Sequence, residues 1–445
     1  MNQITLALTP RRAAIIDGVD TEFEVLVSVT APDAPPTATP RAPLNLAIVI
    51  DRSGSMAGRP LAEAKRCAEF IVQHLGPHDR AAIVAFESQV QVLTPSTVAE
   101  SKETLLRAIQ RINSGGQTAL HEGWLEGAEQ AAPYVVQGAI ARVLLLTDGQ
   151  ANVGEHNPAI LASDCARLAA SGVSTSTYGL GKSFNEELMG AMADAGGGQA
   201  YYGETAEDLM DPFREEFDLL SALCGRKLRL RLEPNAGVSV RVLNVYRTDE
   251  EGRSMLPDLA YGSVAWALLK VRVPASLSAV TPGGLVHVLS SSVEYEDAEG
   301  RQKTSELAHL RLQRLPAAAY ADVAQDETVV ARAHELRAAD LLTQAREAAM
   351  RNDWETVDQL LATAQAEAGD NEWVAATTSA LQEYAAYRDQ AQFSKEAYFA
   401  SRKKRMRLSE SNESAAYLPE LEAVKPLYAR RKPRQGKDLS GDGNS

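Results

Sequence analysis

Hydrophobic and polar positions follow three successive patterns along this chain. Between residues 44 and 223, apolar runs of strand length alternate with segments whose apolar residues recur at helical spacing. Strands that alternate with helices predict a mainly parallel, doubly wound α/β sheet with helices on both faces. The predicted strands are 44–50, 80–86, 90–93, 143–147, 173–178 and 199–202, and the predicted helices are 60–75, 102–112, 118–135, 159–170, 185–195 and 206–223.

The flanking stretches alternate polar and apolar residues with a period of two, which is typical of antiparallel strands with one buried face. Such runs occur at 4–8 and 22–29 before the α/β region, and at 227–232, 238–245, 264–273, 285–295 and 307–312 after it. Two strands are too few to be stable alone. We therefore expect the amino-terminal pair to join the later strands in an antiparallel β-sandwich, into which the α/β domain is inserted.

From about residue 321 the sequence becomes alanine-rich, with predicted helices at 335–350, 354–368 and 372–393. The first two flank a turn at Arg351-Asn352-Asp353 and are similar to a helical hairpin of the tetratricopeptide type. The sequence holds no second copy, so a solenoid is not predicted. A bundle that packs on the sandwich is favoured over a partner-binding groove.

Five segments follow from these patterns. They are amino-terminal sandwich strands and a proline-rich linker (1–43), the α/β domain (44–224), the rest of the sandwich (225–316), the helical region (320–400) and a basic tail predicted to be disordered (401–445). Between residues 401 and 437 the tail carries eleven Lys and Arg against four Glu, whereas the whole chain has a net charge of −14. A solvated tail is favoured over one that contacts nucleic acid or an acidic protein surface, and nucleic acid is not expected as a partner.

Three features of the sequence bear on the cellular compartment of the protein. The first 30 residues carry several charges and do not resemble a secretory signal, and no apolar run approaches the roughly 18 residues of a membrane span. The three cysteines, Cys67, Cys165 and Cys224, are widely spaced and odd in number. A disulfide framework is therefore not expected, and a reducing, cytoplasmic location is predicted.

Candidate chemistry begins directly after the first predicted α/β strand, at Asp51-Arg52-Ser53-Gly54-Ser55. A carboxylate and two hydroxyls are thus placed at the carboxyl end of a strand, where open α/β sheets bind ligands. Two later segments add to this set. They are Gly115-Gly116-Gln117-Thr118, before a helix, and Thr147-Asp148-Gly149, after another apolar strand.

The five candidate ligands are all oxygen donors: Asp51, Ser53, Ser55, Thr118 and Asp148. Because none is a histidine or a cysteine, the set indicates a hard divalent cation rather than zinc. Mg²⁺ is the first choice, with Mn²⁺ or Ca²⁺ as alternatives. Taken singly, such residues are more often helix caps or turn formers, but five on three loops exceed that explanation.

In order and approximate spacing, these motifs resemble the metal-ion-dependent adhesion site (MIDAS) of von Willebrand factor type A (VWA) domains. The resemblance covers roughly residues 44–223 and extends to cytoplasmic bacterial proteins whose VWA domain is inserted in a β-sandwich. It implies that Ser53 and Ser55 bind the ion directly, while Thr118 and the two aspartates exchange between direct and water-mediated contact. It also implies protein partners, among them ring-forming AAA+ ATPases. One departure is Gln117, which separates the glycine pair from Thr118.

Mg²⁺ prefers six oxygens in an octahedron, and three hydroxyls cannot fill it. An Asp or Glu carboxylate of a partner protein would complete the sphere, so a non-enzymatic, metal-dependent interaction module is predicted. Two alternatives stay open: a phosphoesterase-type hydrolase that uses the same residues, and a scaffold whose metal site is unused. A phosphate loop and a nucleophile elbow are not supported, because the G-K-[ST] and G-x-S-x-G patterns are missing here.

Polar residues around the five ligands form a predicted partner-binding rim, since loops at this edge of a sheet usually carry specificity. For the loop after Asp148 a solvated loop is an equally acceptable interpretation, and for His121 a solvated residue of a first helical turn is favoured over a ligand. The predicted rim consists of Arg52, Gln117, His121, Gln150, Asn152 and Glu155.

Overall fold

The structure is a computed structural model that describes most of the chain in two compact units. The described residues are 3–33, 42–203, 222–278 and 284–405, apart from 101, 137, 149, 182, 183, 368 and 370, together with 209, 213, 216 and 220; of residue 403 only the backbone is described. One unit comprises Met1–Pro36, Cys224–Asp297 and Gln302–Ser445, and the other comprises Thr37–Leu223 and Ala298–Arg301. The proline-rich linker and the tail from 406 onward lie outside the described residues.

The unit that contains the candidate ligands is built on one six-stranded sheet. Its strands are β4 (Leu44–Asp51), β5 (Arg80–Phe86), β6 (Val90–Val98), β7 (Ile140–Thr147), β8 (Val173–Leu180) and β9 (Gly197–Gly203), in the order β6-β5-β4-β7-β8-β9. All neighbours are parallel except β5 and β6, so β6 is an antiparallel edge strand. The helices are α1 (Arg59–His74), α2 (Glu103–Gln110), α3 (Leu120–Ala131), α4 (Pro158–Ala170) and α5 (Glu186–Ala195).

Helices cover both faces of this sheet, as the sequence predicts. Every residue of β4 is buried, and its side chains alternate between two cores. Leu46, Ile48 and Ile50 pack in one core with α1 and α2, whereas Ala47 and Val49 pack in the other with α3, α4 and α5. This two-sided burial explains why the central strands appear in the sequence as unbroken apolar runs, and it confirms the predicted α/β fold class.

The other unit contains two sheets that share one hydrophobic core. The first has the order β1-β3-β14-β11, and the second has the order β12-β10-β15-β17-β2 with β13 and β16 at its side. The bounds are β1 (Thr5–Pro10), β2 (Ala14–Ile16), β3 (Thr21–Thr30), β10 (Leu223–Pro234), β11 (Ser239–Val242), β12 (Ser254–Met255), β13 (Leu259–Ala260), β14 (Val264–Val273), β15 (Leu285–Asp297), β16 (Gln302–Thr304) and β17 (Ala308–Leu315).

Amino-terminal strands pair with strands that come more than two hundred residues later. β3 pairs with β14 along its whole length, from Thr21↔Val273 to Thr30↔Val264. β2, which the sequence did not reveal, pairs with β17 in parallel. The sandwich is thus antiparallel except for this one pair among the described strands.

Helices of the same unit pack on the sandwich and on one another. They are α6 (Ala275–Ser278), α7 (Ala317–Ala321), α8 (Glu327–Met350), α9 (Trp354–Glu367), α10 (Glu372–Ala386) and α11 (Gln390–Arg405). Val329 and Leu336 of α8 join Trp266 and two leucines of the sheet in one cluster. The carboxyl-terminal half of α8 packs instead with α9, α10 and α11. The helices therefore form a bundle against the sandwich.

Two predicted helices differ from the structure. The helix expected over 372–393 is two helices, because Arg388 takes a left-handed conformation with φ of 50° and Asp389 caps α11 by accepting a hydrogen bond from the backbone N of Gln392 (3.1 Å). α11 then continues past residue 400 to Arg405. The helix expected over 206–223 falls mostly outside the described residues, and its last residue, Leu223, begins β10 instead.

Cys67, Cys165 and Cys224 are free thiols and all are buried. Among the described residues, no helix combines the length and apolar character needed to cross a membrane.

Candidate metal site

The candidate ligands come together at the carboxyl edge of the sheet, beside its central strand. Asp51 is the last residue of β4, and Asp148 directly follows β7, the parallel neighbour in which Leu146 pairs with Ile50. The chain leaves β4 for β5 on one side and later returns to β7 on the other. This reversal of direction is the position at which open α/β sheets bind their ligands.

Backbone hydrogen bonds fasten the first ligand loop to the second. The N–H of Gly54 donates to the carbonyl of Gly116 (3.0 Å), and the N–H of Gly115 donates to the carbonyl of Arg52 (2.8 Å). Gly116 has a positive φ of 73°, and a Cβ at this position would collide with the carboxylate of Glu87. Glycine is therefore required where the loop carrying Thr118 approaches the loop carrying Ser53.

The third loop is held to the second through Thr118. Its carbonyl accepts hydrogen bonds from the backbone N–H groups of Asn152 and Val153 (both 3.2 Å). Its own N–H donates to Oδ1 of Asn152 (2.8 Å). The carbonyl of Asp148 accepts a further bond from the N–H of Asn185 (3.2 Å), the residue that caps α5. These hydrogen bonds link the three loops to one another and to α5.

Carboxylate and hydroxyl oxygens line this edge. The Oγ atoms of Ser53 and Ser55 lie 3.1 Å apart. Asp51 accepts the N–H of Ser53 at Oδ1 (2.9 Å) and the hydroxyl of Thr147 at Oδ2 (2.5 Å). Asp51, Ser53, Asp148 and Thr118 are buried, whereas Ser55 is exposed. The candidate ligands thus form a buried floor with one member at the surface.

Electrostatics at the floor favour a bound cation. Burial raises the pKa of Asp51 to about 6, and the neighbouring charge of Asp148 adds to the rise, although hydrogen bonds from Thr147 and Ser53 oppose it. The adjacent guanidinium of Arg52 is directed away, to Glu87 (3.1 Å). Among the described residues, the hydrogen-bond partners of these two buried carboxylates are hydroxyl and amide groups, and such a donor set suits a hard divalent ion.

A softer metal does not suit this edge. Among the residues described, no group of three or more His, Cys, Asp or Glu side chains could hold a metal ion. Of the five candidate ligands, only Asp51 and Asp148 belong to these residue types, and the other three carry hydroxyl groups.

The predicted rim residues divide into engaged and exposed side chains. Arg52 pairs with Glu87, and Nε2 of His121 lies 3.0 Å from Oδ2 of Asp164 on α4. Glu155 accepts the backbone N–H groups of the two residues that follow it (2.9 and 2.7 Å). Gln117, Gln150 and Asn152 are exposed at this edge, and Asn152 is engaged as well, because its Oδ1 accepts the N–H of Thr118.

Sequence reasoning missed two residues that support the site. Thr147 ends β7, and its hydroxyl donates a hydrogen bond to Asp51. Glu87 follows β5 and receives Arg52, and its carbonyl accepts the N–H of Ala119 (2.8 Å). A polar residue at the end of a parallel strand or directly after it was the available signal, because such residues reach the same edge.

Comparison with known proteins assigns this unit. Residues 45–215 match the family model of the von Willebrand factor type A domain. The chain contains a VWA domain. The protein sll0103 of Synechocystis sp. is 29% identical over 45% of this chain and 47% of its own length. YfbK of Escherichia coli is 30% identical over 43% of this chain and 34% of its own length. The matched region thus spans at most about half of these relatives.

A solved structure extends the likeness beyond the VWA domain. The von Willebrand factor type A protein from Catenulispora acidiphila superposes with a TM-score of 0.68 over 91% of this chain and 97% of its own, at 17% identity. At that identity the match shows a shared fold. It covers the sandwich and helices as well as the VWA domain.

Proposed function

We propose that this protein is a non-enzymatic interaction module and scaffold whose VWA domain holds Mg²⁺ and uses it to bind an acidic residue of a partner protein. The proposed ligands are Asp51, Ser53, Ser55, Thr118 and Asp148. The observation that supports this most is the set of backbone hydrogen bonds that fasten three oxygen-bearing loops at the switch point of the sheet.

The charge balance of the site favours a partner carboxylate. Two aspartates match the charge of one divalent ion, and neutral hydroxyls leave the ion electrophilic. When bound, the metal supplies a positive centre that attracts an incoming anion. Ser55 is the exposed candidate ligand, so a partner would approach from its side.

Hydrolysis is the weaker proposal, because it needs an acid or a base aimed at the reacting atoms. Among the described side chains of this edge, His121 is directed to Asp164 and Arg52 to Glu87. Both side chains are better placed to fix the loops than to transfer protons. An exposed Asp or Glu on a protein, including an AAA+ ATPase by analogy with the family, is the partner chemistry that fits best.

Metal binding and partner capture test this proposal in turn. Titration with Mg²⁺ followed by calorimetry should show one site in the wild type and none in Asp51→Ala. Proteins captured from a native lysate in Mg²⁺ should be lost in EDTA and with Thr118→Ala. Thr363→Ala, at an exposed position of α9, serves as the matched control and should retain them.

Each alternative predicts a different result. Metal-dependent turnover of a phosphoester that Asp51→Ala abolishes would establish the hydrolase instead. Capture of the same proteins in Mg²⁺ and in EDTA would remove the metal from the interaction. No Mg²⁺ binding by the wild type would leave only a scaffold.

A further inference from the structure

Two imidazoles converge on one hydroxyl on the outer face of the second sandwich sheet. Nε2 of His287 lies 2.9 Å from Oγ of Ser290, and the same Oγ lies 2.8 Å from Nδ1 of His309. His287 and Ser290 belong to β15, and His309 is opposite Ser290 on β17. Ser290 is only 6% exposed, whereas His309 is exposed. The cluster is remote in sequence from all five VWA ligands.

A β-bulge brings these side chains to one face. In a regular strand, residues three apart point to opposite faces, which would separate His287 from Ser290. The pairing of β15 with β17 shifts between His287 and Leu289, and both Val288 and Leu289 are buried in the sandwich core. The extra residue therefore restores His287 to the outer face beside Ser290. Bulges that re-aim a side chain are treated as built features of a sheet.

The end of β10 holds the bulge in place. The backbone N–H of Asn235 donates to the carbonyl of Val288 (2.9 Å), and its side-chain amide donates to the carbonyl of His287 (2.8 Å). These bonds fix the backbone on the side of β15 away from His309. The three donor atoms are thus carried by two paired strands and a clamped bulge rather than by a loop.

We propose that His287, Ser290 and His309 form a second metal site, for a divalent transition-metal ion that favours tetragonal nitrogen and oxygen ligands, with Cu²⁺ as the preferred ion. Imidazole nitrogen binds Cu²⁺ and Ni²⁺ well, and Cu²⁺ stands highest in the order of affinity. At metal–ligand distances of about 2.0–2.1 Å, two ligands at right angles are about 2.9 Å apart. The nitrogen–oxygen separations of 2.9 and 2.8 Å agree with that value.

The charged residues beside the cluster are not expected to dominate its affinity for a metal ion. Glu233 of β10 is the cross-strand neighbour of Ser290 but pairs with Arg231 (2.9 Å). Arg311 of β17 is opposite His287 and exposed. The imidazoles must therefore supply most of the binding. Because a metal displaces protons from its ligands, acid should weaken the complex.

Electron paramagnetic resonance of the full chain with one equivalent of Cu²⁺ tests the proposal. We expect a tetragonal spectrum with coupling to two imidazole nitrogens. His287→Gln and His309→Gln should each lower Cu²⁺ affinity at least tenfold, because even residues that only support a ligand contribute about 10- to 100-fold. His78→Gln, at an exposed position of the VWA unit, is the matched control and should leave the spectrum unchanged.

The VWA site offers only oxygen ligands, so the nitrogen couplings separate the two sites. Asp51→Ala should leave these couplings intact, whatever its effect on Mg²⁺. His309 is exposed, so His309→Gln should melt as the wild type does and report on binding alone. A wild-type spectrum without nitrogen coupling would overturn the proposal, as would one that persists in both variants.

Discussion

Carboxylates in the sandwich unit and carboxylates at the ligand edge of the VWA sheet have different kinds of partners. In the sandwich unit, several carboxylates lie within ion-pair distance of a basic side chain. Arg253 contacts Asp249, Glu251 and Glu294 (2.7–2.9 Å), and Lys270 contacts both Glu22 and Glu24 (3.1 Å each). At the carboxyl edge of the VWA sheet, two carboxylates are buried against hydroxyls and amides instead.

This difference separates carboxylates that already have a basic partner in the fold from the carboxylates that we propose to bind a metal ion. A carboxylate in an ion pair has its counter-ion within the fold. The buried carboxylate of Asp51, whose pKa rises to about 6, is held by hydroxyl and amide groups instead. Burial of charge without an opposite charge is costly and is tolerated where a cation or a substrate compensates for it.

The largest loss of stability is expected when a buried ion pair within the VWA unit is broken. Nη1 of Arg142 lies 2.6 Å from Oε1 of Glu216, and both side chains are almost fully buried. Glu216 also accepts the hydroxyls of Ser176 and Tyr178. Arg142→Met should lower the free energy of unfolding by about 3–5 kcal/mol, because it leaves a buried carboxylate without its counter-ion. Chemical denaturation measures this loss.

Arg272→Gln is the matched control for that variant. Arg272 pairs with Asp20 in the sandwich unit, and both side chains are about half exposed. Its removal should leave the midpoint of unfolding unchanged, because surface pairs contribute little. Equal losses in the two variants would contradict the distinction between buried and exposed charge.

The second effect concerns the packing of α3 on the central strand. A Cβ on Gly127 would collide with Cγ2 of Val49. Although alanine favours helix by about 1 kcal/mol over glycine, Gly127→Ala should destabilise the protein by about 1–3 kcal/mol through overpacking. Glu129→Ala, on the exposed face of α3, should be neutral or stabilising in the same thermal melts. Stabilisation by Gly127→Ala would show that α3 can move away from the sheet.

How far the sequence predicts this molecule depends on how local each signal is. The VWA sheet was predictable because β4 and its neighbours are buried on both faces and appear as continuous apolar runs. β2 and β16, with three residues each, are too short to show a period. The break at Arg388, whose backbone is left-handed, has neither Gly nor Pro to mark it in the sequence.

The candidate site was likewise predictable only where its signals are local in the sequence. The five candidate ligands were identifiable from residue type and strand ends. Thr147 and Glu87 were not, because their roles depend on hydrogen bonds between different loops and strands. The cluster of His287, Ser290 and His309 depends on a bulge, and periodicity alone does not reveal a bulge.

Thr147 supports the proposed metal site by holding the side chain of Asp51. The hydroxyl of Thr147 orients Asp51 without being a proposed ligand. Thr147→Val should weaken Mg²⁺ binding by about 10- to 100-fold, the usual effect of removing a group that orients a metal ligand. Calorimetric titration measures it, and Thr97→Val on the edge strand β6 is the control. Unchanged affinity would mean that Asp51 is held by Ser53 and by burial alone.

The smallest expected effect lies in the ion pairs of the sandwich. Burial alone would raise the pKa of Asp249, but hydrogen bonds from Arg253 outweigh it and hold that pKa below its usual range. A carboxyl group with a lowered pKa in the folded state stabilises the protein above its unfolded pKa, about 3.9. This contribution disappears as the pH falls through the lowered value.

Arg253→Gln should therefore melt slightly below the wild type at neutral pH and low salt. The difference should shrink at 1 M salt, where exposed charges are screened, and again in acid. Adding Mg²⁺ or EDTA should leave it unchanged, because the ion pairs on this sheet already contain both charges. If EDTA increased the difference in melting temperature, the ion pairs of Arg253 would depend on the proposed metal. The distinction between paired carboxylates in the sandwich and metal-binding carboxylates in the VWA domain would then be wrong.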